Sequence, residues 1–422
     1  MIRYHDLQTR WNYRVCLPAA VLAAFACFSA TVFAWNQGKT LDMYFVDTEG
    51  GLSALYVSPS GESLLIDTGS PGGRDTDRIM EVAQTAGVKQ IDYLIITHYH
   101  GDHIGGLPEL AKRIPIKHFI DHGETGEHTP AIDNALKVYA DMYTSANHQV
   151  AKPGDKIPVG GLNVEVVTSA MKVLKTPIPG APGAGKPNPA CADFKTRDES
   201  AVDPDNAYSV GAIIAYGKFR TINLGDYTWN AEQNLMCPNN PIGTVDLYLT
   251  SHHGIDQSGS PALVHGLHPR VAVMHNSTRK GGAVQTMQTL HTSPGLEDIW
   301  QLHWAYAAGL EQNSPGLFIA NIEDAQTMAN VLLNPPPTFG QMGAGRGGGP
   351  PAAGTPPAGA PPAAPPAPGT PAAAGGAPGG RGRGRGGHSG PAFYIKVSAE
   401  ADGTFTVTNS RNGFSKTYAA RK

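Results

Sequence analysis

The residues best suited to chemistry lie in one short stretch, residues 94–107, which reads LIITHYHGDHIGGL. His98, His100, Asp102 and His103 bring three imidazoles and a carboxylate into a very short length of chain. Imidazole nitrogens and carboxylate oxygens are the ligands that Zn²⁺ and similar ions prefer. Four such groups cannot all bind one ion and leave it room to react, so the motif predicts two metal ions.

An apolar run directly before this motif indicates the element that positions it. Residues 91–97 read IDYLIIT, which is typical of a short strand buried on both faces. Gly101, Gly105 and Gly106 permit the backbone dihedrals that would let the ligand side chains converge on a rigid base. Histidines that only stabilise a loop are the alternative interpretation.

Strands and helices are mixed along most of the chain. β-rich segments recur from TLDMYFVDT to GLFIANIED. Helical patterns fall between them, over residues 77–86 before Gly87 and from Thr129, which would cap a helix that has Pro130 in its first turn. The pattern predicts an α/β fold with helices outside and sheets inside.

The histidine motif resembles that of the metallo-β-lactamase superfamily, and segments over residues 41–273 agree in order and spacing. LLIDTG contains Asp67, similar to an aspartate that lies behind the metals. INLGD ends in Asp226, similar to the aspartate between the two ions, and LYLTSHHG supplies His252 and His253 as the late histidine motif. The resemblance implies a four-layer αββα sandwich, and the composition of residues 335–391 predicts a disordered Gly/Pro/Ala-rich insertion in it near the C-terminus.

Two further features narrow the resemblance within the superfamily. The HHG ending, together with Asn206 and Ser209 ahead of the GD strand, is most similar to the hydrolase domain of DNA-uptake channel proteins and to phosphorylcholine esterases. Such a resemblance lends fold and chemistry but not a pathway, because one fold hosts many functions.

The resemblance also implies a ligand for each metal. His98 and His100 would hold the first ion, Asp102 and His103 the second, and Asp226 would lie between them. Asp102, Asp226 and Asp67 are the predicted catalytic carboxylates, Asp67 by orienting a ligand or the water. His252 or His253 would complete the second site, and we favour His253 because adjacent strand residues point to opposite faces.

Three other residues are candidates for the rim of the site. The chain lacks an obvious third histidine for the first ion, and His122 in FIDHG either serves there or is an ordinary loop histidine. Arg279 and Lys280, in VMHNSTRKGG, could clamp a phosphate or carboxylate. A solvated surface loop is the alternative interpretation of that segment.

These residues predict an exported metal-dependent hydrolase with two divalent ions, for which Zn²⁺ is the leading candidate. Two such ions lower the pKa of a shared water and present hydroxide at ordinary pH. The predicted substrate is a phosphoester or phosphodiester, small or polymeric, and the net charge of -3 does not indicate nucleic acid. The alternatives are a lactone, thioester or β-lactam hydrolase, and a non-catalytic wall-binding protein stabilised by metal.

The two ends of the chain differ from its middle. Residues 1–34 read as a signal peptide, with three arginines ahead of an apolar run, which predicts a periplasmic or extracellular protein without a membrane span; an uncleaved anchor is the alternative. Residues 35–334 would form the hydrolase domain, residues 335–391 a disordered Pro/Gly/Ala-rich segment, and residues 392–422 a β-hairpin of the same domain. Cys191 and Cys237 either pair or stay free thiols.

Overall fold

Two nine-stranded sheets dominate residues 40–322 and 391–421, the part of the chain that the computed structural model describes. The strands are, in chain order, β1 (Leu41–Phe45), β2 (Ala54–Val57), β3 (Ser63–Ile66), β4 (Ile91–Ile95), β5 (Ile116–Asp121), β6 (His148–Val150), β7 (Lys156–Ile157), β8 (Asn163–Ser169), β9 (Lys172–Val173), β10 (Lys186–Pro187), β11 (Gly211–Tyr216), β12 (Phe219–Asn223), β13 (Asn239–Asn240), β14 (Leu247–Leu249), β15 (Val271–Met274), β16 (Asp298–His303), β17 (Ile319–Asn321), β18 (Ile395–Ala399), β19 (Phe405–Asn409) and β20 (Ser415–Tyr418).

The helices of the described residues fall between the strands. They are α1 (Arg74–Thr85), α2 (Gly101–Ile104), α3 (Leu107–Leu110), α4 (Pro130–Ala140), α5 (Trp229–Met236), α6 (Pro261–Leu267), α7 (Val284–His291) and α8 (Gly309–Gln312), with 3₁₀ turns at Pro189–Cys191, Pro204–Tyr208, Ser251–Gly254 and Gly316–Phe318. No helix in these ranges combines the length and apolar character needed to cross a bilayer.

Each sheet mixes antiparallel and parallel pairing. The first has the order β20-β19-β18-β1-β2-β3-β4-β5-β6, with β3 to β6 parallel. The second has the order β17-β16-β15-β14-β12-β11-β8-β7, with β9 beside β8 and with β12 and β14 to β17 parallel. Parallel strands end at one edge of their sheet, so the segments that follow them gather there.

Apolar side chains from both sheets meet in a shared core. Alternate residues of each strand point inward, as the two-residue period of a strand requires. Leu41, Met43 and Phe45 of β1 join Trp300 of β16 in this layer. Helices α5, α6 and α7 cover the outer face of the second sheet, and α1 and α4 cover that of the first. The αββα sandwich predicted from the sequence is therefore confirmed.

Local signals worked well at helix ends. The Thr129 hydroxyl accepts a hydrogen bond from the Ile132 N–H at 3.3 Å, which caps α4 as predicted. Helix α1 begins at Arg74, ahead of the predicted residue 77, because Gly73 with φ of 85° turns the chain directly into the helix.

The predictions for the two termini fall largely outside the described residues. This holds for the signal peptide over residues 1–34 and for the segment 335–391 apart from Pro391. The C-terminal run forms three strands, and β18 pairs with β1 in antiparallel register from Leu41 opposite Ala399. The last strands thus extend the first sheet beyond β1.

Candidate metal centre

The predicted ligands lie at one edge of the sandwich, where parallel strands of both sheets end. Asp67 follows β3, the HxHxDH motif follows β4, Asp226 follows β12, and His252 and His253 follow β14. The shared apolar core holds the two sheets face to face, so these segments from distant parts of the chain meet.

Asp226 lies at the middle of the cluster. One of its carboxylate oxygens, Oδ2, is 3.2 Å from His103 Nε2, 3.1 Å from His253 Nε2 and 3.3 Å from His252 Nε2. Asp226 and His98 also lie together with His103 as a set whose ligand atoms are all within 4.8 Å of one another. Asp226 is therefore placed to contact more than one bound ion.

Asp102 forms the outer side of the cluster. Its Oδ2 lies 3.5 Å from His253 Nε2 and 3.8 Å from His103 Nε2, and these residues make a second set of ligand atoms within 4.8 Å. Lys280, which follows β15, places its ammonium 2.5 Å from the same oxygen. The structure thus brings Lys280 to the cluster, as the sequence predicted for a residue that recognises an anion.

Asp67 lies behind the cluster, where it contacts the metal-binding loop. Its carboxylate accepts hydrogen bonds from the Thr97 N–H at 2.7 Å, from the Thr97 hydroxyl at 2.6 Å and from His103 Nδ1 at 2.7 Å. Because His103 Nδ1 donates to this carboxylate, Nε2 is the nitrogen that faces the cluster. Asp67 is fully buried, with φ of 61°.

His98 and His100 lie side by side in the cluster. His98 Nε2 lies 2.9 Å from His100 Nδ1, and His98 is fully buried. His100 Nε2 lies 3.1 Å from a carboxylate oxygen of Glu127, a residue that the sequence did not single out. His98 shares a set of ligand atoms with His103 and Asp226, and His100 contacts His98.

His252 and His253 do not lie on a strand, so the alternation of strand side chains that favoured His253 does not apply to them. Both residues lie in a turn after β14 with left-handed backbone, at φ of 52° and 57°. This turn directs both imidazoles toward Asp226. His253 reaches Asp102 and His103 as well, whereas His252 Nδ1 lies 3.3 Å from the Ser258 hydroxyl.

Burial and charge set the protonation of the cluster. Burial alone would raise the pKa of Asp226, but His103, His252 and His253 hold that pKa well below its usual range. Burial would likewise raise the pKa of Asp102, and the Lys280 ammonium is the main group that holds it well below. Burial lowers the pKa of His252 to about 3. Ionised carboxylates beside a neutral imidazole are the forms that bind metal.

The donors present fit divalent cations. The second carboxylate oxygen of Asp226, Oδ1, and the Nδ1 atom of His253 are buried and have no hydrogen-bond partner within the described part of the chain. An unpaired buried carboxylate oxygen is costly, and a bound cation would satisfy it. Two sets of histidine and aspartate ligand atoms lie in the cluster, and His103 belongs to both.

Two of the predicted rim residues are not brought to the cluster. His122 is buried, its Nδ1 lies 3.2 Å from the Glu124 carbonyl oxygen and its Nε2 lies 3.4 Å from Asp205, and it belongs to neither set of ligand atoms in the cluster. Arg279 is exposed, unlike its neighbour Lys280. The difference between them depends on the turn after β15, in which the N–H groups of both residues donate to the Ser277 hydroxyl.

Asp205 is a buried residue that sequence reasoning missed. Its carboxylate accepts a hydrogen bond from the Tyr99 N–H at 2.7 Å, between His98 and His100, and another from the Thr125 hydroxyl. Asp205 therefore ties the metal-binding loop to the loop that carries Glu127. The only sequence signal was its position beside Asn206, which the resemblance had noted.

A family model described as the metallo-β-lactamase superfamily matches residues 47–186. This range includes the HxHxDH motif and ends before Asp226. Ribonuclease Z of Methanopyrus kandleri is 31% identical over 141 residues, which cover 31% of this chain and 47% of that protein. A metal-dependent hydrolase of Polynucleobacter asymbioticus is 30% identical over 166 residues, covering 38% and 54%. The chain thus spans about half the length of these relatives.

Solved structures of metallo-β-lactamases also align with part of this chain. A subclass B3 metallo-β-lactamase isolated from a soil metagenome library aligns with a TM-score of 0.32 and 14% identity, covering 51% of this chain and 78% of that structure. The enzyme class predicted from the sequence is confirmed at the level of the superfamily. Residues 47–186, the segment that carries the HxHxDH motif, are thus similar to the metallo-β-lactamase superfamily.

Proposed function

We propose that this protein is an exported metal-dependent hydrolase with two divalent ions that cleaves a phosphoester or phosphodiester. The proposal extends the family assignment in three respects, namely the number of ions, the substrate and the cellular location. Zn²⁺ is the ion we favour, because the proposed ligand set combines imidazole nitrogens with carboxylate oxygens.

The ligands divide between two positions. His98 and His100 would hold one ion, Asp102, His103 and His253 the other, and Asp226 would contact both, consistent with its central place among the imidazoles. When bound, a pair of divalent ions supplies a water of lowered pKa and polarises the oxygen of the scissile group.

The protein's own residues prepare the site in several ways. Asp67 holds His103 in one tautomer and, through Thr97, anchors the start of the loop that follows β4. Asp205 fixes the Tyr99 amide between two ligands, and Glu127 holds His100 Nε2. Orientation of this kind keeps ligands in place before an ion or a substrate arrives.

One observation carries the choice of substrate, namely the position of the Lys280 ammonium at Asp102, on the rim of the cluster. A lysine beside a cation site favours a ligand that carries negative charge, because a phosphate accepts charge-assisted hydrogen bonds from an ammonium. A neutral lactone or thioester offers this ammonium only an uncharged carbonyl oxygen, which is a weaker partner than a phosphate. The match to Ribonuclease Z, whose name denotes a nuclease, supports the same choice.

The disulfide between Cys191 and Cys237 supports export. It ties the 3₁₀ turn at Pro189–Cys191 to the end of α5. Disulfides persist in oxidising compartments such as the periplasm and are rare in the cytosol. This agrees with the signal-peptide pattern over residues 1–34.

The substrate proposal is tested by comparing ester classes on the purified protein. We expect turnover of bis-p-nitrophenyl phosphate that a chelator abolishes and added Zn²⁺ restores, with little turnover of a chromogenic cephalosporin or a lactone. Faster chelator-sensitive cleavage of the cephalosporin or lactone would contradict the substrate proposal. Stoichiometric metal with no turnover of any ester or amide would instead favour the wall-binding protein.

A further inference from the structure

We propose that Lys280 and a metal ion compete for the carboxylate of Asp102, and that an anion which pairs with Lys280 strengthens the binding of that ion. The inference rests on the proposed metal centre. Lys280 would couple the binding of the metal to the binding of the substrate. The second ion would then bind firmly only when an anionic substrate is present.

The Lys280 ammonium and the second metal ion would bind the same atom, Asp102 Oδ2. Lys280 Nζ lies 2.5 Å from Asp102 Oδ2. The same oxygen faces His253 Nε2 at 3.5 Å and His103 Nε2 at 3.8 Å, so it is the ligand atom that completes the second set. An ion held by these three residues would lie close to the ammonium, and like charges repel.

The lysine pair is built into the site. The side chains of Lys280 and Asp102 are 22% and 28% exposed, so water screens the pair only in part. A Cβ atom added at Gly51 would lie 2.5 Å from the Asp102 carbonyl oxygen, and one at Gly50 would lie 3.2 Å from Lys280 Cβ. The loop before β2 therefore packs directly against both residues.

The ammonium is able to move while the backbone stays. The Lys280 N–H donates to the Ser277 hydroxyl at 2.9 Å, which fixes the turn. The side chain has four flexible methylene groups and a compact charge. A phosphate group bound at the cluster would give the ammonium a second acceptor, and Asp102 would then be released to the ion.

The two ion positions differ in this respect. No lysine or arginine forms a recorded ion pair with Asp226 in the described ranges, and the partners of its carboxylate are histidines. The ion held by His98, His100 and Asp226 would therefore bind without direct competition. By thermodynamic linkage, an anion that strengthens the second ion is itself bound more tightly when that ion is present.

The test is a Co²⁺ titration of the metal-free full chain, followed by visible absorption, with and without phenylphosphonate. In the wild type we expect the second Co²⁺ to bind about tenfold more tightly when phenylphosphonate is saturating. In Lys280→Met the second Co²⁺ should bind tightly without the anion, and the anion should add much less. Lys280→Arg, which retains the charge, should behave like the wild type.

A matched control is Lys117→Met. Lys117 forms an ion pair with Asp92 at 3.0 Å, at the opposite ends of β4 and β5 from the cluster, and removing it should leave both Co²⁺ affinities unchanged. Equal second-ion affinity in the wild type and Lys280→Met, with phosphodiesterase turnover present in the wild type, would overturn this inference alone. If neither the wild type nor any of the variants bound Co²⁺, the proposed function would be overturned as well.

Discussion

The cluster around Asp226 and the group formed by Asp47, Glu49 and His303 contain the same kinds of side chain. In each, imidazole and carboxylate atoms lie within 4.8 Å of one another, and in each most of the residues are buried. His303 Nε2 lies 2.8 Å from Asp47 Oδ1. In the metal cluster the only closer contact between a histidine and a carboxylate among the described residues is that of His103 with Asp67 at 2.7 Å.

The two groups differ in how their negative charge is balanced. Arg78 contacts Asp47 at 3.0 Å and Glu49 at 3.2 Å, so a guanidinium from α1 lies against both carboxylates. In the metal cluster the imidazoles surround Asp226, whose second carboxylate oxygen has no hydrogen-bond partner among the described residues, and the Lys280 ammonium pairs with Asp102. Ligand types alone therefore do not define a metal site, because the charge of neighbouring residues decides whether a cation is still needed.

The largest effect is expected from Asp226→Asn. This substitution removes the carboxylate that would contact both ions, so we expect loss of bound metal, measured by elemental analysis. Turnover of bis-p-nitrophenyl phosphate should fall by more than about 100-fold, the upper end for residues that only orient ligands. A variant that keeps two ions and near wild-type turnover would show that Asp226 is not the shared ligand. Circular dichroism should confirm that the Asp226→Asn variant is folded.

A different result is expected from Asp47→Asn in the second group. The substitution leaves Arg78 with one buried carboxylate partner instead of two, and breaking a buried ion pair costs about 3 kcal/mol. We expect the free energy of unfolding, measured in urea, to fall by that amount while metal content is unchanged. Loss of an ion in this variant would erase the distinction between the two groups.

The smallest effect is expected from His275, which interacts electrostatically with His253 on one side and Asp47 on the other. Burial lowers its pKa from 6.5 to about 3, so the unfolded chain binds a proton more readily than the folded protein. This contribution to stability is present above pH 6.5 and is lost as the pH falls toward 3. At pH 5 the loss is about 2 kcal/mol.

The measurement for His275 is urea denaturation of the metal-free protein at pH 7 and pH 5. His275→Gln removes the titrating group and retains a donor for the Ser53 carbonyl, which His275 Nε2 contacts at 3.1 Å. The loss of stability between the two pH values should be about 2 kcal/mol smaller in this variant than in the wild type. An equal loss in both proteins would show that His275 does not titrate as burial implies.

Much of the fold could be predicted because its signals are local. The strand before His98 appeared as an apolar run, and the cap at Thr129 was apparent from its residue type and the proline that follows. The association of Asp67 and Asp226 with the histidine motif came from the resemblance to a family. Nothing in the local sequence indicates that β3, β4 and β12 end at one edge.

The details that could not be predicted depend on backbone turns and on distant partners. His252 and His253 both face Asp226 because the backbone is left-handed at these two residues. Residue type seldom predicts a left-handed backbone at positions other than glycine. His122 lies beside Asp205, and Glu127 contacts His100. Both contacts join loops that are separated in the chain. Lys280 and Arg279 are equivalent by sequence, and only the turn at Ser277 separates them.

The sequence by itself determined which ligand chemistry is available, because three imidazoles and a carboxylate behind a buried strand leave few other uses. It also determined the alternation of strands and helices from which the layers form. Only the tertiary structure decided which carboxylates have their negative charge balanced by a basic side chain. That balance depends on whether Arg78 or Lys280 lies within a few ångströms. Electrostatic interactions depend on the distance between charges in space, and the periodicity of the sequence does not give that distance.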